Sequence, residues 1–359
     1  VERGSLAAAW NLLVENHYLA TKKVLDSCCL KRAGGTMKPN EENFTDFFIG
    51  VGRDFVHELA LPDLVCAYAG GSVGRGEADV FSDLDLNLFV EGTREHRSEN
   101  HSFRGQLIQL HVHPVPTADD VRDNPWRWRY LQEARLVADP TGRFADWFPQ
   151  MRAYLESEEA KAKMIAQARA AVEEYERIAD EALAEGRLYS AALLEWAGWL
   201  EAMQLIAFVS QGQLSDRALF QLVSGLGGWS ELERHFSVRY AAREALMEGL
   251  AVLSDYRAHL QTKAGPEAFA LGAENDVLLQ QKMGRLLQKE QYVEAGFLLF
   301  SEAVWLYSST DADNWWEEHR QELPPGLGES LLELGFFQMD QAKAAELRSA
   351  RAELIAKIG

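Results

Sequence analysis

The chain of 359 residues carries 36 Lys and Arg against 55 Asp and Glu, a formal net charge of −19, with 47% hydrophobic and 25% charged residues. That length suits two or three domains with a substantial core, and an acidic balance without any basic run argues against nucleic-acid partners, whose affinity comes largely from neutralised phosphates. The longest apolar stretch, 191–209, is broken by Glu195 and Glu201, the N-terminus lacks a basic-then-apolar leader pattern, and three cysteines (Cys28 and Cys29 adjacent) draw no disulfide framework, so a cytoplasmic protein with no membrane partner is expected.

Taken in order, residues 6–30 read as an amphipathic helix, with Leu6, Trp10, Leu13, His17, Leu19 and Leu25 near helical spacing. Gly34-Gly35 and Pro39-Asn40 break it. A second helix over 42–59 leads through Pro62 into an apolar strand, 64–69. There follow a tight turn, Gly70-Gly71-Ser72, a short helix through Val73-Gly74-Arg75-Gly76, and a second strand over 83–90. Side chains alternate across a strand, so Asp83, Asp85 and Asn87 share one face and Leu84, Leu86 and Leu88 the other. With the leucines in a core, two carboxylates are left side by side in the open. Like charges so placed raise each other's pKa unless a cation lies between them. Mg²⁺, which takes one or two carboxylates plus phosphate oxygens, suits the pair. The glycine turn lets backbone approach a phosphate closely.

The polar stretch 91–104, with Arg94, His96, Arg97, His101 and Arg104, reads as a surface loop. Residues 105–114 alternate again, placing Leu107, Gln109, His111 and His113 on one face and Ile108, Leu110 and Val112 on the other. In Asn124-Pro125-Trp126-Arg127-Trp128-Arg129-Tyr130, the tryptophans read as core ahead of a base-stacking platform. Asp139 reads as a turn residue. From Trp147 onward helices dominate: 152–185 closed by Gly186, an apolar 188–209 carrying Trp196, Trp199 and Met203, then 215–223, 230–260, 274–288, 291–309 and 328–357. Gly265-Pro266 marks a boundary. The expected division is 1–40 (helical extension), 41–150 (sheet domain), 151–265 (helical bundle) and 266–359 (further helices).

A Gly-Gly-Ser turn, a ten-residue gap and Asp-x-Asp on a strand resembles the nucleotidyltransferase superfamily typified by DNA polymerase β. With a helical bundle following, it is similar to the aminoglycoside (kanamycin) and lincosamide nucleotidyltransferases, specifically over 64–90 and more weakly over 103–148. The resemblance implies an α+β fold: a small mixed β-sheet core with N-terminal helices, followed by a C-terminal helical bundle. It implies that Gly70, Gly71 and Ser72 cradle nucleotide phosphates, that Arg75 neighbours them, and that Asp83 and Asp85 hold Mg²⁺. It implies transfer of a nucleoside monophosphate, AMP from ATP, to a hydroxyl of a small acceptor, aminoglycoside-like or another natural product, with release of pyrophosphate. An acidic cleft would attract a cationic acceptor. The family's third carboxylate falls at Gln109, which cannot take a proton. His111 or His113 on the same face then becomes the favoured general base, with Glu195 or Glu201 as alternatives. Two other readings stay open: a diverged nucleotide-binding regulator or acid-activating enzyme, and an enzyme that adds AMP to proteins. A homodimer is compatible with all of them.

Overall fold

In the computed structural model the described residues are 44–80, 82–94, 96–212, 219, 242–264 and 268–356. The expected first helix and its breaker, Cys28 and Cys29, most of the 215–223 helix, the start of the 230–260 helix and the Gly265-Pro266 boundary lie outside them. The described chain divides into two compact units, one of residues 44–165 with 277–282 and one of 166–276 with 283–356.

The first unit is built on a five-stranded mixed sheet. Helix α1 (Phe44–Leu59) leads into β1 (Leu64–Ala69), and a single-turn helix α2 (Gly71–Arg75) leads into β2 (Leu84–Val90). β3 (Arg97–Phe103), β4 (Gln106–Pro114), α3 (Ala118–Asp123), α4 (Pro125–Trp128), β5 (Arg135–Ala138) and α5 (Arg143–Leu155) follow. The strand order is β3-β4-β2-β1-β5, with β2 and β4 parallel and every other pair antiparallel. One face is apolar: Leu84, Leu86 and Leu88 of β2 and Ile108, Leu110 and Val112 of β4 pack with Phe48, Ile49, Val51, Phe55 and Val56 of α1. A Cβ at Gly52 would come within 3.2 Å of both Leu84 and Val137, so α1 packs closely on this sheet. The period-2 pattern of the sequence therefore separates the apolar face that packs on α1 from a polar face that is itself largely buried.

The stretch expected as a loop is instead β3, an edge strand paired to β4 through a two-residue turn. Arg104 (φ 50°) and Gly105 (φ 76°) both have positive φ, the signature of a hairpin turn that matches strand twist. The loop reading failed because Arg97-Ser98-Glu99-Asn100-His101-Ser102 has no apolar face to reveal a strand. Edge strands are often charged, which discourages pairing with other chains.

The second unit is helical. Helix α6 (Glu158–Ala184) runs from the sheet unit into it, and α7 (Leu188–Gln211), α8 (Arg243–Ala264), α9 (Ala273–Gln288), α10 (Tyr292–Thr310), α11 (Trp316–Glu322), α12 (Pro325–Leu332) and α13 (Gln341–Ala356) follow. The expected single helix over 152–185 is two helices. Ser157 separates them and its hydroxyl accepts from the Ala160 amide, the bond of an N-cap, in a stretch without Gly or Pro to announce it. The expected helix over 328–357 is likewise α12 and α13, interrupted where Gly335 takes φ 120° and Asp340 accepts from the Lys343 amide.

Residues 188–210 pass the length and composition test for a membrane span, yet 94% of the apolar window is buried within the protein. Glu195, in the first half of α7 and fully buried, accepts from Arg348 Nε at 2.6 Å and faces Arg351 Nη2 at 3.2 Å. Arg351 also pairs with Glu176, and its guanidinium lies where a Cβ at Gly198 would come within 2.9 Å. Glu195 and Arg351 thus tie α13 to α7. Burial lifts the Glu195 pKa above the usual carboxylate range, and the two arginines pull it back. Glu201 is also fully buried, near the sealed phenol of Tyr175.

Candidate active site

The sheet face opposite α1 changes character along its length. At one end stand Asp83, just before β2, then Asp85, with Gln109 beside Asp85 in the β2–β4 register. Asn87 and His111 come next in register, followed by Phe89 and His113. Around Phe89 the face turns aromatic: Tyr68, Trp128, Phe144 and Trp147 all lie within 6.4 Å between ring centroids. Trp126 is buried and Trp128 half-buried. Both pack within the unit, as the core reading expects.

The turn before α2 lies directly against the acids. Gly71 has φ 60°, and a Cβ built on it would fall 1.9 Å from Asp85 Oδ2. Only a residue without a side chain leaves that carboxylate its place. The Gly70 amide donates to the Asp85 carbonyl at 2.9 Å, which fixes turn and strand together. Ser72 Oγ donates to Ser82 Oγ at 3.0 Å, and Ser82 Oγ also accepts from the Asp79 amide at 2.9 Å, so the turn is tied to the residue preceding Asp83. Asp83 and Asp85 are both buried rather than open, and in the case of Asp85 the Gly71 turn packs directly on the carboxylate.

Arg75 is engaged from both sides, by Glu77 at 3.0 Å and Glu133 at 3.2 Å. Burial alone would lower its pKa, but the two carboxylates outweigh that and raise it. Its charge is already matched within the fold. Glu133 carried no sequence signal, since it reads as one more polar residue in a helical turn. Lys282, the one lysine buried among the described residues, belongs to the same compact unit from far along the chain and was equally invisible on an amphipathic helix.

Gln109 is the least expected member. It is fully buried, and neither its carbonyl oxygen nor its amide nitrogen has a hydrogen-bond partner. Such an orphan costs about 1–3 kcal/mol per group. As a test of fit to a divalent cation, the donor set is two buried carboxylates beside an amide carbonyl in need of a partner. Hard oxygen donors of this kind suit Mg²⁺, which keeps its remaining positions for water and phosphate oxygens. Among the described residues no group of three or more His, Cys, Asp or Glu could hold a metal, so any ion here depends on ligands from substrate or solvent.

The two histidines stand farther along the face. His111 Nδ1 lies 2.9 Å from Ser98 Oγ. His113 belongs to a chain whose protons can be assigned. Arg127 can only donate, so His96 Nε2 accepts from it at 3.0 Å. His96 then donates from Nδ1 to His113 Nδ1 at 2.7 Å, and His113 donates from Nε2 to Asn87 Oδ1 at 2.9 Å. Every member is neutral except the arginine. Burial, then His96, then Arg127 lower the His113 pKa to about 3. A base that weak takes protons poorly near neutrality.

The unfolded chain, with an ordinary histidine pKa near 6.5, binds a proton that the folded chain refuses between about pH 6.5 and 3. The contribution to stability is complete above pH 6.5 and is lost as pH falls, by at most about 1.4 kcal/mol per pH unit. Denaturant titrations from pH 7 to pH 4 should show His113→Phe losing less stability than the parent over that interval. Parallel curves would mean that His113 takes up its proton in the folded state.

No protein-family model matches the chain, and no curated protein matches it. Nine solved chains do match. Among them is a nucleotidyltransferase-like protein from Exiguobacterium sibiricum, 13% identical, with a TM-score of 0.29, covering 46% of this chain and 58% of that one. The chain thus spans just over half of that neighbour's length. The likeness takes in less than half of the present chain, and the functional reading rests on the residues of the site.

Proposed function

We propose that the protein transfers a nucleoside monophosphate from a nucleoside triphosphate, ATP in the simplest case, to a hydroxyl of a small acceptor, releasing pyrophosphate. One observation carries the reading: the Asp85 carboxylate rests against the side-chain-free Gly71 of the Gly-Gly-Ser turn, with Asp83 two residues before it. An acid pair and a turn suited to a triphosphate are thereby neighbours.

Asp83 and Asp85 would hold a divalent cation, which when bound would screen phosphate charge and orient the reacting phosphorus. Gly70 and Gly71 supply a turn without side-chain bulk for the phosphate tail, and Ser72, tied to Ser82, keeps that turn in register with the acids. Arg75 holds the turn through Glu77 and Glu133. The net charge of −19 favours a cationic acceptor, aminoglycoside-like or another natural product.

Pyrophosphate release with each nucleoside triphosphate and Mg²⁺, against a panel of hydroxylated amines and neutral natural products, tests the reading. Asp83→Asn and Asp85→Asn should each weaken Mn²⁺ binding by about tenfold or more and remove Mg²⁺-dependent release. Full turnover in either variant ends the proposal. Label from α-³²P-ATP entering protein would redirect it to a protein acceptor. The orphaned Gln109 amide favours one other reading, a regulator that binds nucleotide without turning it over. Binding without release across the whole panel would select it.

A further inference from the structure

Gln109 lies in β4 at the register position of Asp85, fully buried, with both ends of its carboxamide unpartnered. The two ends want opposite things: the carbonyl oxygen accepts or ligates, and the NH₂ donates. A lone cation satisfies only the oxygen, and a lone anion only the nitrogen. A cation already bound to an anion satisfies both.

The charges agree. Asp83 and Asp85 bring two negative charges, enough for one divalent ion. A second ion would find no third acid, since no cluster of three such ligands exists among the described residues. Resting on the reading above, we propose that this site takes a nucleoside triphosphate carrying one divalent cation rather than two, and that Gln109 recognises the pair, its carbonyl contacting the cation and its NH₂ a phosphate oxygen. Gln109 is then the residue that sets the metal count.

The test uses the whole chain, Mn²⁺ followed by its electron paramagnetic resonance signal, and the non-hydrolysable α,β-methylene analogues of ATP and GTP. The parent should bind one Mn²⁺ per chain in the presence of an analogue. Gln109→Glu should bind two. Gln109→Met, close in volume and free of a buried charge, should still bind one while analogue affinity falls about tenfold or more. Two ions in the parent, a folded Gln109→Glu that still takes one, or a Gln109→Met with unchanged analogue affinity would each overturn the proposal. If Gln109→Glu does not fold, Gln109→Met decides alone. Analogue binding with two ions defeats this inference and leaves the transferase reading standing, whereas a parent that binds neither Mn²⁺ nor analogue defeats both.

Discussion

Gly71→Ala is expected to cost about 10²-fold or more in turnover and to weaken Mn²⁺ binding markedly, while the protein still folds. The new Cβ would lie 1.9 Å from Asp85 Oδ2, far inside any contact distance. The backbone of Asp85 cannot retreat, because its carbonyl accepts from Gly70 and its strand is in register with β4. The carboxylate must therefore rotate out of its place beside Asp83. A displacement of about 1 Å in a catalytic group is enough for a loss of that size. The substitution also forces alanine to φ 60°, a strain of about 1–2 kcal/mol. Gly92→Ala and Gly142→Ala separate the two effects. Both positions have positive φ, 74° and 70°, and open space where a Cβ would go. They should lower stability by a similar amount and leave metal binding and turnover intact. If Gly71→Ala behaves as they do, Asp85 does not need its present position for chemistry.

Glu195→Gln should destabilise the protein by about 3 kcal/mol. Removing one member of a buried ion pair typically costs about 3–5 kcal/mol because the partner is left charged and uncompensated. The lower end applies, since Arg351 keeps Glu176 and Arg348 keeps Asp180. Chemical denaturation measures the loss, and the double variant Glu195→Met with Arg351→Met should recover most of it, because no buried charge is then stranded. Turnover per folded molecule should be unchanged in Glu195→Gln. A variant of normal stability with no activity would favour Glu195 as the general base, one of the alternatives left by Gln109 at the position of a third carboxylate.

These two cases show what a sequence does and does not expose. β2 and β4 were legible because a leucine-rich face and a polar face alternate at period 2, and that alternation is the same physical fact as burial on α1. The Asp83, Asp85 and Gln109 row followed from it directly. β3 was illegible because a strand with two polar faces has no hydrophobic signal, and only the turn geometry at Arg104 and Gly105 reveals it. The break at Ser157 was hidden for a similar reason: a capping hydroxyl is one serine among strong helix formers. Side-chain partnerships were the least legible of all. Nothing in the sequence says that Glu133 answers Arg75, that Arg348 and Arg351 close on Glu195, or that His96 donates a hydrogen bond to His113, because each pairing joins segments that only the fold brings together.

The polar margin of the sheet carries one more consequence. Arg97, Glu99 and His101 line β3, so another strand laid along it would have to accommodate their charges against its own side chains. β5, at the opposite margin, offers only four residues for such pairing. Even where heat or denaturant loosens the surrounding helices, this sheet should resist growth by addition of strands at its two margins.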